Sequence, residues 1–111
     1  SDLERKAEAA ERELLAWKKV AFIKDKVGQL FAGAVTGVAP FGLFVQLEEN
    51  LVEGLIRVES LGSERFDYSE RRAELRGSRS RRRFRLGDRL RVRVARVDRI
   101  LKRVDFTLSD A

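Results

Sequence analysis

Residues 41–47 read Phe41-Gly42-Leu43-Phe44-Val45-Gln46-Leu47, and their alternation decides the fold. Leu43, Val45 and Leu47 share one side of an extended chain while Phe44 and Gln46 share the other, the two-residue period of a half-buried β-strand. Phe44 is out of place on that polar side. A ring there is either a surface packing residue or a platform for another ring. Phe41 lies three residues earlier, in the turn Ala39-Pro40-Phe41, and doubles the feature. Every nucleobase presents a π face, and each stacked base is worth ~1–3 kcal/mol, so the pair suits a nucleic-acid strand. The competing reading is a pair of half-buried core aromatics.

The β pattern continues on both sides. Upstream, residues 29–38 form a strand whose glycines, Gly33 and Gly37, mark the bends of a small barrel. Downstream, Glu48-Glu49-Asn50 turns the chain, Val52 to Val58 forms a third strand, and a short helical turn falls within Glu59 to Glu64. Residues 65–85 hold short strands around a hairpin loop at Gly77-Ser78 and Ser80. After Leu86-Gly87-Asp88, Leu90, Val92 and Val94 point inward while Arg89, Arg91 and Arg93 point outward. Val97 follows Val94 at an odd spacing, which predicts a β-bulge at Ala95-Arg96. Asp98 to Lys102 makes the last turn and Arg103 to Leu108 the closing strand. Five principal strands bent by glycine predict a mainly β fold, a small closed barrel; the pattern alone leaves an SH3-like barrel open.

Residues 1–26 read as one α-helix ahead of that barrel. Ser1 and Glu4 have capping-box spacing, and Leu3, Ala7, Ala10, Leu14, Trp17 and Ala21 form an apolar stripe that Leu15, Phe22 and Ile23 widen. Such a stripe packs on its own barrel, pairs as a coiled coil, or belongs to a neighbouring domain.

Composition narrows the function. A chain of 111 residues has room for one core, and no apolar run approaches the ~20 residues that span a bilayer. No signal-peptide pattern opens it, which is compatible with the cytoplasm. There is no cysteine and no histidine, which removes thiolate metal sites and every Ser-His or Cys-His nucleophile pair. The eighteen acids are spread among turns and helix faces, without a compact pair to hold magnesium. No catalytic residue, metal site or cofactor is therefore expected in this chain. The formal charge of +6 is unevenly placed: residues 27–70 carry two basic and seven acidic side chains, residues 71–99 thirteen arginines against Glu74, Asp88 and Asp98. Such a block is the footprint of a polyanion, or else a solvated surface. Arg89, Arg91 and Arg93, on one outward face, are candidates for a phosphate track.

Taken in order, Val27-Gly28, Gly33-x-Val35, Phe41-Gly42-Leu43-Phe44-Val45, Glu53-Gly54-Leu55-Ile56-Arg57, Leu86-Gly87-Asp88 and Val92-x-Val94-x-x-Val97-Asp98 resemble the S1-type RNA-binding domain, a form of the OB-fold barrel. The resemblance runs over residues 27–109 and implies a five-stranded S1-type OB-fold, with 27–111 as the domain. It implies base stacking by Phe41 and Phe44. It places the family's RNA-facing histidine at Arg57, a departure that would keep stacking and hydrogen bonding but lose pH sensitivity. Its aspartate falls on Asp98, either a ribose contact or a cap on its own turn, and its following basic residue on Arg103. For Arg57 and Arg103 a solvated surface charge is the alternative.

The helix, with Glu4-Arg5-Lys6-Ala7 and Glu13-Leu14-Leu15-Ala16-Trp17-Lys18-Lys19, is similar to the end of the catalytic domain in the ribonuclease R family. Arg65-Phe66-Asp67, Phe84-Arg85-Leu86-Gly87-Asp88-Arg89 and Arg103-Val104-Asp105-Phe106-Thr107-Leu108 also resemble that branch. It implies that residues 1–26 end an upstream nuclease domain, and that the parent is a magnesium-dependent, processive 3′-to-5′ exoribonuclease. The expected role is to bind single-stranded RNA with little regard to sequence and deliver it to the catalytic channel. Two other readings stay open: an S1-type module of a translation or transcription factor, and a protein-interaction module using the helix.

Overall fold

Alternating aliphatic residues close five strands around one core. The computed structural model describes residues 18–109, and its strands are β1 (Leu30–Ala39), β2 (Gly42–Leu47), β3 (Glu53–Arg57), β4 (Phe66–Ser69), β5 (Glu74–Gly77), β6 (Arg83–Arg85), β7 (Arg89–Asp98) and β8 (Arg103–Leu108). The barrel runs β1-β2-β3-β8-β7 and back to β1, with β3–β8 parallel and its other pairs antiparallel. This is the mainly β, five-stranded closed barrel that the alternation predicts, in the OB form that the resemblance implies, and the parallel closure excludes a simple meander.

Leu43, Val45 and Leu47 from β2, Ile56 from β3, Val92 and Val94 from β7 and Phe106 from β8 meet inside, each almost wholly buried. The odd spacing in β7 is a bulge: pairing with β8 shifts register between Val94 and Arg96. β1 is irregular between Val35 and Gly37, where the sequence places a bend. The third strand is shorter than read, since Val52 and Val58 flank it, and the helical turn begins earlier, at Val58–Ser60.

Between β3 and β7, residues 66–85 form a second antiparallel sheet, β4-β5-β6, around the expected loop. Leu75 and Phe84 from its inner face enter the barrel's own core, so the insertion is fastened by apolar burial. Residues 18–23 are helical and Lys24–Lys26 tightens into a 3-10 turn. Residues 1–17, with the capping box and most of the apolar stripe, lie outside the described residues. Within the described turn, Ile23, read as part of the stripe, is buried together with Val20, which was not, whereas Ala21 and Phe22, also read as part of the stripe, are exposed. Residues three apart share a helix side, and the entry into β1 turns the Val20–Ile23 side toward the barrel. Among the described residues no helix is long and apolar enough to cross a membrane.

Candidate nucleic-acid interface

The outer faces of β2, β3, β8 and the end of β7 make one concave surface, an open groove of about 630 Å³. Strand register explains which side chains share it. Phe44 lies opposite Leu55, Leu55 opposite Asp105, and Asp105 opposite Arg96, a row crossing four strands. At one end Gly42 pairs with Arg57; at another Asp98 pairs with Arg103.

The two aromatics are exposed apolar groups of the groove, as is Leu101. Phe41 is 54% exposed and Phe44 42%, and their rings meet edge to face, with centroids 5.8 Å apart and planes at 89°. That contact holds the Phe44 face at a set angle without burying it. The turn carrying Phe41 is pinned by the Val58 N–H, which donates to the Phe41 carbonyl at 2.9 Å. Gly42 makes the approach possible: a Cβ there would run into the Ile56 carbonyl oxygen. Neither phenylalanine belongs to the core, so of the two readings open for them, the structure places both on the surface.

The groove gathers Phe41, Phe44, Arg57, Asp98 and Arg103, five of the eight residues singled out from sequence. The other three stand on the first half of β7, opposite β1: Arg89 faces Ala34, Arg91 faces Ala32 and Arg93 faces Leu30. They are exposed as expected but do not line the groove. Arg89 also pairs with Glu48 at 3.6 Å, and the Arg93 guanidinium donates to the Gly28 carbonyl at 3.0 Å. Asp98 acts as a turn cap, its Oδ1 accepting the Ile100 and Leu101 N–H groups at 3.0 Å each. The Leu101 N–H, the Ile100 N–H and the nearby Arg96 and Arg103 charges hold its carboxyl below the usual range, against an opposing desolvation effect.

Four charged lining residues were not singled out from sequence: Arg96, Lys102, Glu53 and Asp105. Arg96 had a readable signal. The bulge moves the outward series from 89, 91 and 93 to 96 and 98, which carries the arginine stripe into the groove. The others had none, because their places depend on pairing between distant strands. With Arg57, Arg96, Lys102 and Arg103 set against Glu53, Asp98 and Asp105, the lining carries a net charge of only +1. Its lining therefore offers exposed rings and directed guanidinium donors, not a dense cationic trap. Among the described residues no group of three or more acids is placed to hold a metal ion.

Residues 24–109 match the family described as the S1 RNA binding domain. The chain is 43% identical over 110 residues to ribonuclease R of Aquifex aeolicus, covering 99% of this chain and 16% of that protein. It is 37% identical over 105 residues to ribonuclease R of Escherichia coli, covering 95% and 13%. The solved structure of Mycoplasma genitalium RNase R in complex with ribose-methylated single-stranded RNA superposes with a TM-score of 0.87 at 27% identity, over 97% of this chain and 17% of that one. The chain thus spans about a sixth or less of the length of these relatives.

Proposed function

This chain belongs to the S1 RNA binding domain family, and from that membership we propose that its groove binds single-stranded RNA and delivers it to the catalytic channel of a ribonuclease R-like 3′-to-5′ exoribonuclease. The observation that carries the reading is the edge-to-face pair Phe41–Phe44, exposed at the mouth of a groove lined by Arg57, Arg96 and Arg103. A base stacks on the Phe44 face. Arg57, where the family often has histidine, stacks or donates beside it through its planar guanidinium. Arg96 and Arg103 reach phosphate oxygens, and the groove carboxylates are acceptors for ribose 2′-hydroxyls. None of these contacts reads the hydrogen-bonding edge of a particular base, so binding tolerates many sequences.

Hydrolysis belongs to an upstream domain. Magnesium would be held there, and this chain would act as a non-catalytic module of a cytoplasmic hydrolase. The long amphipathic segment in residues 1–26 would end that domain. The exposed Phe22, Val27 and Leu30 around the entry to β1 support an adjoining surface there. The test is a titration of purified protein against labelled single-stranded RNA at several salt concentrations, alongside incubation with magnesium. Expected are saturable, salt-sensitive binding and intact RNA. Absence of binding at low salt would overturn the RNA reading. Cleavage that co-purifies with the chain and disappears on mutating one of its own acids would overturn the division of labour.

A further inference from the structure

The β4-β5-β6 sheet buries one face in the core, and its other face carries Arg76, Arg83 and Arg85 beside Asp67, Ser69 and the buried Glu74. Arg76 on β5 stands directly opposite Arg83 on β6, both exposed. Like charges at directly opposed positions of an antiparallel pair destabilise the pair unless something neutralises them. Asp67 flanks Arg76 on β4 but is drawn toward Arg65, 3.9 Å away, and the buried Glu74 sits 3.8 Å from Arg72. Among the described residues Arg76, Arg79, Arg81 and Arg83 make no ion pair.

The loop joining β5 and β6 adds Arg79 and Arg81 and is held in one shape. The carboxylate of Glu64 accepts the N–H groups of Arg79 at 2.9 Å and Ser80 at 3.0 Å, Gly77 N–H donates to the Arg82 carbonyl at 2.8 Å, and Ser78 N–H to the Arg65 carbonyl at 2.9 Å. The acid nearest the loop is therefore consumed in shaping it. Arg81 holds a left-handed φ of 57°, a conformation that side-chain-bearing residues adopt at some cost. Glu64 also attracts the Arg79 charge, but as one carboxylate beside a loop and strand pair carrying Arg76, Arg79, Arg81 and Arg83 it leaves a cationic surface that suits an anion with repeated charges.

We propose that Arg76, Arg79, Arg81 and Arg83 form a second, phosphate-reading contact for RNA, separate from the aromatic groove and engaged only by strands long enough to extend beyond it. The proposal rests on the RNA reading of the groove. No residue of the outer arginine face lines the groove, and the two surfaces divide the chemistry: rings and directed donors in one, charge in the other. The sheet therefore adds affinity for length without adding sequence preference.

The test compares single-stranded RNAs of about 5 and about 30 nucleotides, the first within the span one OB-type barrel covers. The variant carries Arg76→Gln, Arg79→Gln, Arg81→Gln and Arg83→Gln, and a second variant carries lysine at the same four positions. Expected for the glutamine variant is a loss of ~10-fold or more for the long strand at low salt, with a salt slope shallower by ~0.7 per lost contact and short-strand affinity unchanged. The lysine variant should keep most long-strand affinity, because it keeps the charge. An unchanged long-strand affinity and slope in a folded glutamine variant would overturn the proposal. Equal losses for both lengths would also overturn it, since the two surfaces would not be separable. Long-strand binding removed by the glutamine variant, with no short-strand binding by the parent protein, would sustain the arginine face and sink the groove reading instead.

Discussion

Replacing Phe44 with alanine separates stacking from packing. Phe44 is 42% exposed, so a little over half of the residue is covered; its neighbours include the Phe41 ring and Gly37 of β1. A fully buried phenylalanine truncated to alanine costs ~3–5 kcal/mol, part of it for the cavity left behind. At a half-covered surface position water fills the gap, and scaling by the covered fraction gives ~1–2 kcal/mol. For a domain of this size that lowers Tm by roughly 5–15 °C. If a base stacks on the exposed ring face, Phe44→Ala also loses ~1–3 kcal/mol of binding, about 5- to 150-fold in Kd. Phe44→Trp keeps a π face and should bind within a few-fold of the parent. The assay is fluorescence anisotropy with a labelled oligonucleotide of about 5 nucleotides, run well below the Tm of each variant, with thermal melts on the same samples. A Tm loss matching 3–5 kcal/mol together with unchanged Kd would refute the reasoning.

Arg96→Gln should weaken the same short oligonucleotide roughly tenfold, ~1.4 kcal/mol for one charged donor, while Arg89→Gln stays within about twofold because Arg89 stands outside the groove and pairs with Glu48; the reverse order would mean that the β7–β1 face is the primary site. Asp98 has a carboxyl depressed by its turn hydrogen bonds, so its contribution to stability is present above its unfolded-state pKa and is lost as pH falls through its folded value. Tm of the parent protein should therefore fall on acidification through and below the carboxylate range, and Asp98→Asn, which keeps an acceptor but does not titrate, should show a flatter profile between pH ~2 and ~5; identical profiles would remove Asp98 from the acid response. Gly54→Ala would set a Cβ 2.5 Å from the Phe106 ring and 2.7 Å from the Val104 carbonyl oxygen, an overpacking expected to cost at least ~1–3 kcal/mol in chemical denaturation; a neutral result would show that β3 and β8 can part without penalty.

The strands of the barrel, their inward and outward faces and the bulge in β7 were all readable in the sequence, because side-chain direction along a strand is a local property with a period of two. Val94 and Val97 at an odd spacing announced the bulge, and Phe44 between Leu43 and Val45 announced an outward ring. Neighbours across strands are a different matter. Leu55 meets Asp105, and Asp105 meets Arg96, only because β3 and β8 pair in parallel across an intervening sheet. Nothing local to Lys102, Glu53 or Asp105 encodes that register, so they joined Phe41 and Phe44 only in the folded chain, whereas the bulge alone turned Arg96 outward. The arginine block divided for the same reason: its sequence carried the charge, and its division between β7 and the outer face of β5–β6 came from which strands found each other. The helix entry shows the limit in miniature. Periodicity marked an apolar stripe through Ala21, Phe22 and Ile23; of these only Ile23 joined the barrel core, and Val20, outside the stripe, was buried as well, because which helix side is covered depends on the angle at which the chain enters β1.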